Sequence, residues 1–311
     1  MYCTKKYFFI LCSLLMMCCT LSSCLKEDLS ECPRPFNVRV RVLDADQKDI
    51  TSSGEIKRAI VFVFDESGKK VERFDMSEGD IANRKPIRLK DFDFKSLTFV
   101  VCANLSDRMH DDLNAVNRIE DVKMRLFSKN GVSEAAPNLF QGSLTTQILY
   151  GDVVDDIDKT IDIHPKTSQV NIVIRGYEEW VERTETTIHN VTPFVFTVGS
   201  IKLGKTPDTY SGLGELTGDL VAYHPNGRIN EDGDLLTPVF TVYPTLAQKP
   251  LDLSLWIKGE EKLRVNKASD GKMLIPEAGR MLNIFIDLKS AELHVSVVIT
   301  PWNEVHQFVV Y

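Results

Sequence analysis

Four residues near the N-terminus, Leu-Ser-Ser-Cys at 21–24, have the types and spacing for attachment of lipid to a cysteine thiol. They follow a basic start and an apolar stretch over residues 7–19, which is the layout of a cleavable export signal. The motif resembles a bacterial lipobox with Cys24 as the acceptor. About three acyl chains, at roughly 0.8 kcal/mol per buried methylene, would hold the mature chain on a membrane. The alternative is an uncleaved anchor, although the apolar stretch is shorter than the ~20 residues that a membrane span requires.

The residues after the acceptor predict where in the cell envelope the protein is exported. Lys26, Glu27 and Asp28 follow Cys24 almost directly. This charged cluster is similar to the export signal that sends lipoproteins of Bacteroidota to the outer leaflet of the outer membrane. A charged, solvated tether is the alternative. We therefore expect a lipid-anchored outer-membrane protein that faces the cell exterior.

Charge and length exclude some classes of protein. Removal of residues 1–23 takes away Lys5 and Lys6, so the net charge of −7 becomes −9 in the mature chain. This acidity, without a basic cluster, argues against nucleic acid as a partner. Later apolar runs are short and interrupted, which indicates strands rather than a second membrane span. A mature length of about 290 residues favours two domains.

Two cysteines remain once the signal is removed and Cys24 is acylated. They are Cys32 and Cys102, an even number in an oxidising compartment. A Cys32–Cys102 disulfide would tie the end of the tether to a strand of the first domain. The alternative is two independent thiols, with Cys102 packed as a small hydrophobic residue.

The elements that would position these residues are predicted to be strands. Short alternating or continuous apolar runs, separated by turn residues, indicate an all-β protein. Strands are predicted over residues 36–43, 58–65, 70–74, 87–89, 96–103, 148–154, 160–163, 169–175, 194–197, 220–223, 238–243, 251–257, 262–265, 281–288 and 293–299. Residues 109–126 favour a helix or helical turns, and residues 128–137 and 204–214 favour loops. We expect a signal over 1–23, a tether over 24–35, and β-sandwiches over 36–164 and 165–311.

Motifs for catalysis or metal binding are not found in the sequence. It has no Gly-x-Ser-x-Gly elbow, no phosphate-binding glycine loop and no His-Glu-x-x-His, and its six histidines are scattered singly. The acidic run at 152–158 lacks the glycine and closing glutamate of a calcium loop, which favours a solvated strand end. We therefore predict no catalytic residue, metal or cofactor.

Several short segments, in this order, resemble the FimB-type anchor family of fimbrial lipoproteins, which are fimbrillin-related proteins of Bacteroidota. They are the lipobox with its charged residues, Ser-Glu-Cys-Pro at 30–33, Ile-Val-Phe-Val-Phe-Asp at 60–65 with Gly68, Val-Cys-Ala-Asn at 101–104, Leu-Phe-Gln-Gly at 139–142, Val-Asn-Ile-Val-Ile at 170–174, and Trp302. Gln141 departs from the more usual tyrosine. The resemblance implies two tandem transthyretin-like sandwiches and a non-enzymatic anchor or cap of a fimbrium. Its partners would be stalk or accessory subunits, bound through strand addition.

The C-terminal segment is the candidate for that assembly. Residues 293–300 are apolar enough for an interior strand, and Pro301 would then end the pairing. The pattern resumes at Trp302, Val305, Phe308, Val309, Val310 and Tyr311. This tail is either donated to a neighbouring subunit or is an ordinary edge strand of its own domain.

The sequence leaves two functions open as alternatives to a fimbrial anchor. A surface glycan-binding lipoprotein would use exposed aromatic rings, for which Trp180 and Trp256 are the candidates. Burial inside a sandwich is the other expectation for both side chains. A surface hydrolase is the third possibility, and it would require convergent carboxylates.

Overall fold

The computed structural model of the protein describes residues 36–89, 94–149, 157–185, 200–246, 249–257, 259–289 and 293–302. The strands before the midpoint are β1 (Phe36–Val42), β2 (Arg58–Phe64), β3 (Lys70–Ser77), β4 (Ile87–Leu89), β5 (Ser96–Ala103), β6 (Lys123–Arg125), β7 (Ser128–Lys129), β8 (Val132–Ser133), β9 (Phe140–Gln147) and β10 (Ile157–Pro165). Their helices are α1 (Glu78–Ala82) and α2 (Asp107–Asp112), with 3-10 turns at Leu113–Ala115 and Ile119–Asp121.

The remaining strands are β11 (Ser168–Arg175), β12 (Ser200–Ser211), β13 (Leu216–Tyr223), β14 (Arg228–Ile229), β15 (Leu235–Leu236), β16 (Phe240–Val242), β17 (Asp252–Ile257), β18 (Glu260–Val265), β19 (Arg280–Asp287) and β20 (His294–Pro301), with one helix, α3 (Tyr177–Glu185). Strands dominate the described residues, so the prediction of an all-β protein is confirmed.

The first sheet runs β3-β2-β5-β9-β10-β1-β4. Strands β9 and β10 share only two residue pairs, His164 with Gln141 and Pro165 with Phe140. At this corner the sheet divides into two layers. Apolar side chains from both layers form one buried core, to which Val38, Val61, Val101 and Ile163 contribute.

The hairpin between β2 and β3 forms as its sequence predicts. The Asp65 carboxylate accepts hydrogen bonds from the backbone N–H groups of Ser67 and Lys69, each at 2.9 Å. Gly68 adopts a φ of +77°, a conformation that a residue with a Cβ rarely adopts. The turn therefore sets the register in which β3 returns along β2.

After the exposed Arg58, strand β2 is apolar because both of its faces are buried. Val61 and Val63 face the core between the two layers. Ile60 and Phe62 face the other way and belong to a second core, together with Met109 of α2. Helix α2 is capped by Ser106, whose hydroxyl accepts a hydrogen bond from the Met109 N–H. The predicted helical turns in this region are confirmed, and they cover the outer face of the first sheet.

The second half contains two facing sheets. One runs β14-β15-β11-β19-β20, with β16 also on β11, and the other runs β18-β17-β12-β13-β8-β7, with β6 also on β12. The boundary predicted after residue 164 falls one residue before the end of β10, and β6 and β8 pair across it with β12 and β13. A segment from the first half is thus part of a sheet of the second half. The predicted division into two domains stays a prediction.

Some local predictions were wrong. Residues 128–137 contain β7 and β8, and most of 204–214 lies in β12 rather than in a loop. Strand β12 tolerates its Gly204 and Pro207 because its pairing with β13 shifts register beside both of them, as in a bulge. Strand β9 and helix α3 were not predicted. The strand expected at 194–197 lies outside the described residues.

Candidate assembly surfaces

The ends of the three sheets are closed in different ways. Strands β4, β7 and β14 are only two or three residues long, and each ends its sheet with little free backbone. The longer end strands are β3, β18 and β20. An unpaired strand edge can recruit another chain, and charged side chains are one of the means by which proteins prevent this.

Two of these three long edges are charged. Charged side chains occupy half or more of the positions in β3 and β18, namely Lys70, Glu72, Arg73 and Asp75 in β3, and Glu260, Glu261, Lys262 and Arg264 in β18. Strand β20, with the sequence HVSVVITP, has no Asp, Glu, Lys or Arg. In the described part of the chain, β20 is therefore the long edge that lacks this protection.

Strand β20 pairs with β19 over its full length, from His294 opposite Asp287 to Pro301 opposite Arg280. Its other edge has no strand partner among the described residues. The prediction of an interior strand stays a prediction, because residues 303–311 lie outside that part of the chain. Only one face is apolar and buried, through residues such as Val295 and Val297. Pro301 is itself paired, opposite Arg280, and it is the last paired residue of β20. Its missing N–H is tolerated because an edge strand has one side without pairing.

The end of β20 meets the first half of the molecule. The Trp302 ring packs against Phe140 of β9, with ring centroids 6.4 Å apart. Close by, Arg280 forms an ion pair with Asp46. The C-terminal end of β20 is therefore fixed at the junction of the two halves. The other proposed tail residues, Val305, Phe308, Val309, Val310 and Tyr311, lie outside the described residues.

A second junction forms around the buried side chain of Asp208 in β12. Arg125 Nε donates to Asp208 Oδ2 at 3.0 Å, and Arg125 Nη2 donates to Asp219 Oδ2 at 3.1 Å. The Thr209 hydroxyl donates to Asp208 Oδ1 at 2.7 Å. The Asp208 carboxylate raises the pKa of the Arg125 guanidinium. The contact attaches β6, which comes from the first half, to the second half.

Buried tyrosines reinforce this attachment. The Tyr243 hydroxyl donates to the Met124 carbonyl oxygen at 2.9 Å. The Tyr243 backbone N–H donates to the Tyr223 hydroxyl oxygen at 3.2 Å. Burial raises the pKa values of both phenols, so both stay protonated. These hydrogen bonds and the apolar packing around them are not visible in the sequence pattern.

The predicted N-terminal site residues Cys24, Lys26, Glu27 and Asp28 lie outside the described residues, as does Cys32.

Cys102 is fully buried and has no disulfide partner among the described residues, and burial raises the pKa of its thiol to about 12. Its side chain belongs to the core on the outer face of the first sheet, whereas the side chains of β1 that follow the tether face the core on the inner face. The predicted Cys32–Cys102 disulfide remains untested. Two reactive thiols in unfolded, unreduced protein would refute it.

Both tryptophans proposed for glycan binding contact other residues of the protein. Lys202 Nζ lies 3.4 Å from the Trp256 ring centroid, and the Trp256 indole N–H donates to the Ser254 hydroxyl at 2.8 Å. Trp180 packs from α3 against the hydrophobic core. Within the described ranges, no three His, Cys, Asp or Glu side chains are grouped so that they could hold a metal ion. None of the described helices has the length and apolar character to cross a bilayer.

An all-β chain whose described residues include one long sheet edge without Asp, Glu, Lys or Arg has the features of an assembling surface subunit. The family model for fimbrillin-A associated anchor proteins Mfa1 and Mfa2 matches residues 29–308, and the chain belongs to this family. The chain is 43% identical over 307 residues to the major fimbrium anchoring subunit FimB of Porphyromonas gingivalis strain W83, with 99% of each chain covered. The FimB of strain ATCC 33277 is 42% identical over 307 residues, again with 99% of each covered. The resemblance seen in the sequence is thereby confirmed.

Solved structures share the fold at low sequence identity. A putative adhesin from Bacteroides ovatus has a TM-score of 0.63 at 15% identity, covering 87% of this chain and 95% of its own. The fimbrial anchor protein Mfa2 from Porphyromonas gingivalis has a TM-score of 0.59 at 14% identity, covering 87% and 98%. These structures support the all-β architecture.

Proposed function

We propose that this protein is a non-enzymatic outer-membrane lipoprotein that anchors or caps a fimbrium at the cell surface. Relatives that match 99% of the chain are major fimbrium anchoring subunits. The structural observation that carries the proposal is strand β20, a long edge without charged residues, directly before the C-terminal tail. Its partner is a fimbrial stalk or accessory subunit.

The assembly contact is strand addition at this end of the second sandwich. A strand of the neighbouring subunit can form main-chain hydrogen bonds with an unpaired edge, while alternate side chains fill pockets. The tail after Trp302 is proposed as a second element, because its apolar pattern resumes at Val305, Phe308, Val309, Val310 and Tyr311. Assembly at one end and lipid at the other would give the subunit one neighbour and one membrane contact.

An anchor must also carry tension between these two ends. The lipidated tether leads into β1, in the first sheet, whereas β20 belongs to a sheet of the second half. The contacts that join these parts include Trp302 on Phe140, and the pairing of β6 with β12 together with the ion pair of Arg125 and Asp208. Pulling on β20 therefore loads hydrogen-bonded strands and packed rings as well as the connecting chain.

Lipidation is tested at the acceptor. Replacement Cys24→Ala removes the thiol that would be acylated, so the protein should leave the carbonate-washed outer-membrane fraction. Replacement of Lys26, Glu27 and Asp28 by Ala should instead keep it on the inner leaflet, protected from external protease. Retention of the Cys24→Ala variant in the membrane, or unchanged protease access of the triple variant, would contradict the respective part.

The role of the tail is tested by deletion of residues 303–311, followed by a thermal melt and co-purification with fimbriae. If the tail is donated, the truncated protein melts at the wild-type temperature and loses the fimbriae. If it unfolds, or still co-purifies, the tail is structural and the assembly contact lies elsewhere. The wild-type chain should co-purify at one copy per filament.

A further inference from the structure

The corner between β9 and β10 opens into a cleft. Beyond their two shared residue pairs the strands separate, and a polar cleft of about 360 Å³ lies between them. Gly142 lies so close to the backbone of Asp162 that a Cβ at this position would overlap the Asp162 carbonyl oxygen. The glycine thus permits the close approach at the corner, and the cleft begins directly after it, lined by Ser143, Leu144 and Thr160.

Both strands present unpaired backbone towards this cleft. Strand β9 pairs with β5 along its whole length, and β10 pairs with β1 up to Ile163. On the other side of each strand, beyond the corner, the described residues supply no strand partner. An extended segment could therefore form main-chain hydrogen bonds with one of these edges.

An uncompensated cation lies at the closed end of the cleft. Lys166 follows β10 and is half-buried, and its Nζ lies 5.8 Å from the Tyr210 ring centroid. Among the described residues, no carboxylate is within ion-pair distance of this ammonium group. The nearby Asp162 is committed to Arg41, whose Nε and Nη2 each donate to it at 2.7 Å.

The surroundings do not neutralise this charge. Burial lowers the pKa of Lys166, because the charged form loses hydration without gaining a partner. Burial and the nearby Lys166 also lower the pKa of His164, another lining residue. A carboxylate that entered the cleft would satisfy a cation that is already partly desolvated.

The rim supplies an apolar contact as well. Leu213, at the tip of the β12–β13 turn, is 58% exposed beside the cleft. The turn is held in place because the Gln141 side-chain amide donates to the Gly212 carbonyl oxygen. The cleft therefore combines strand edges, a half-buried cation and an exposed leucine.

We propose that the cleft between β9 and β10 binds an extended acidic segment of a partner protein, which adds as a strand and places one carboxylate on Lys166. Charge complementarity selects this occupant, since the described residues supply no counter-ion for the cation and no strand partner for these edges, which require an extended backbone. The cleft is separate from β20. The proposal for the cleft therefore does not depend on whether β20 is the fimbrial contact.

The test uses the full-length lipoprotein in detergent and two fluorescent peptides. One is Thr-Val-Thr-Val-Glu-Val-Thr-Val, and the other carries Gln in place of Glu. Fluorescence anisotropy should show the Glu peptide binding about tenfold more tightly, the size expected of a charge-assisted hydrogen bond. In Lys166→Met the two peptides should bind equally, whereas Lys166→Arg should keep the preference.

A matched control is Lys95→Met, which removes one positive charge directly before the first residue of β5. This variant should keep the preference for the Glu peptide. Thermal melts establish that each variant is folded, with Lys166→Gln as the substitute if Lys166→Met is not. Failure of both peptides to bind, equal binding to the wild type, or a preference that survives in Lys166→Met would overturn the proposal. So would displacement of the Glu peptide by millimolar acetate, which would indicate a site for free anions only. Because this assay contains no fimbriae, its failure leaves the role of β20 untouched.

Discussion

Strands β3 and β20 are both eight residues long and both end a sheet, but their sequences differ in a way that bears on function. Strand β3 carries Lys70, Glu72, Arg73 and Asp75, whereas β20 carries no Asp, Glu, Lys or Arg. Charges at an edge oppose pairing with a second chain, since the pairing would bring them into a drier environment. The molecule thus protects one edge and leaves the other able to pair.

In the sheet that contains β12 and β13, strand edges are protected in a third way. Strands β6 and β8, from the first half, pair with β12 and β13 and cover backbone that would otherwise be exposed. Here the chain itself supplies the strand that a partner supplies in an assembly. In contrast to β12 and β13, β20 pairs with one strand only among the described residues, and its Val295 also exchanges hydrogen bonds with Ser269.

The largest expected effect comes from disrupting this internal cover. Asp208→Ala removes a fully buried carboxylate that accepts hydrogen bonds from Arg125, Thr209 and the Asp219 N–H. Because the donors lose their acceptor in a buried site, we expect about 3 kcal/mol of lost stability in urea unfolding. Asp208→Asn keeps an acceptor and should lose less. If Asp208→Ala unfolds like the wild type, β6 is not held by this contact.

A smaller effect on stability, but a loss of binding, is expected at the unprotected edge. Val298→Lys places a charge at a position of β20 that is 36% exposed, so the fold should tolerate it within about 1 kcal/mol. Co-purification with fimbriae should be lost, because the edge then resembles that of β3.

Leu220→Lys is the matched control for Val298→Lys. Leu220 is 55% exposed but lies in β13, which pairs with β12 rather than ending the sheet. This variant should retain the fimbriae. If Val298→Lys also retains them, the proposed role of the β20 edge is wrong.

The smallest effect is expected where the protection of β3 is weakened. Glu72→Val removes one exposed charge from that edge and leaves the backbone pairing of β3 with β2 unchanged. Stability should change by less than about 0.5 kcal/mol. Light scattering at rising protein concentration should show weak self-association that the wild type lacks. A strictly monomeric variant would show that a single charge is not what keeps this edge unpaired.

Much of the strand content could be predicted because side chains alternate wherever one face of a strand is buried. The boundaries of β5 were predicted as observed, and those of β2 and β19 within one residue. Strand β12 was missed because Gly204 and Pro207 resemble turn residues, and only its register shifts against β13 accommodate them. Strand β9 was missed because its alternation runs through polar residues such as Ser143 and Thr145.

The sequence by itself determined the strand-rich class, the turn at Gly68, the expected lipid acceptor at Cys24 and the resemblance to fimbrial anchors. Only the tertiary structure decided that β6 pairs with β12. It also decided that, within the described ranges, β20 ends its sheet and Lys166 lies in a cleft without a counter-ion. The physical reason is that alternation reports which face of a strand is buried. It carries no information about which backbone edge finds a partner, because hydrogen-bonding groups are the same in every residue except proline.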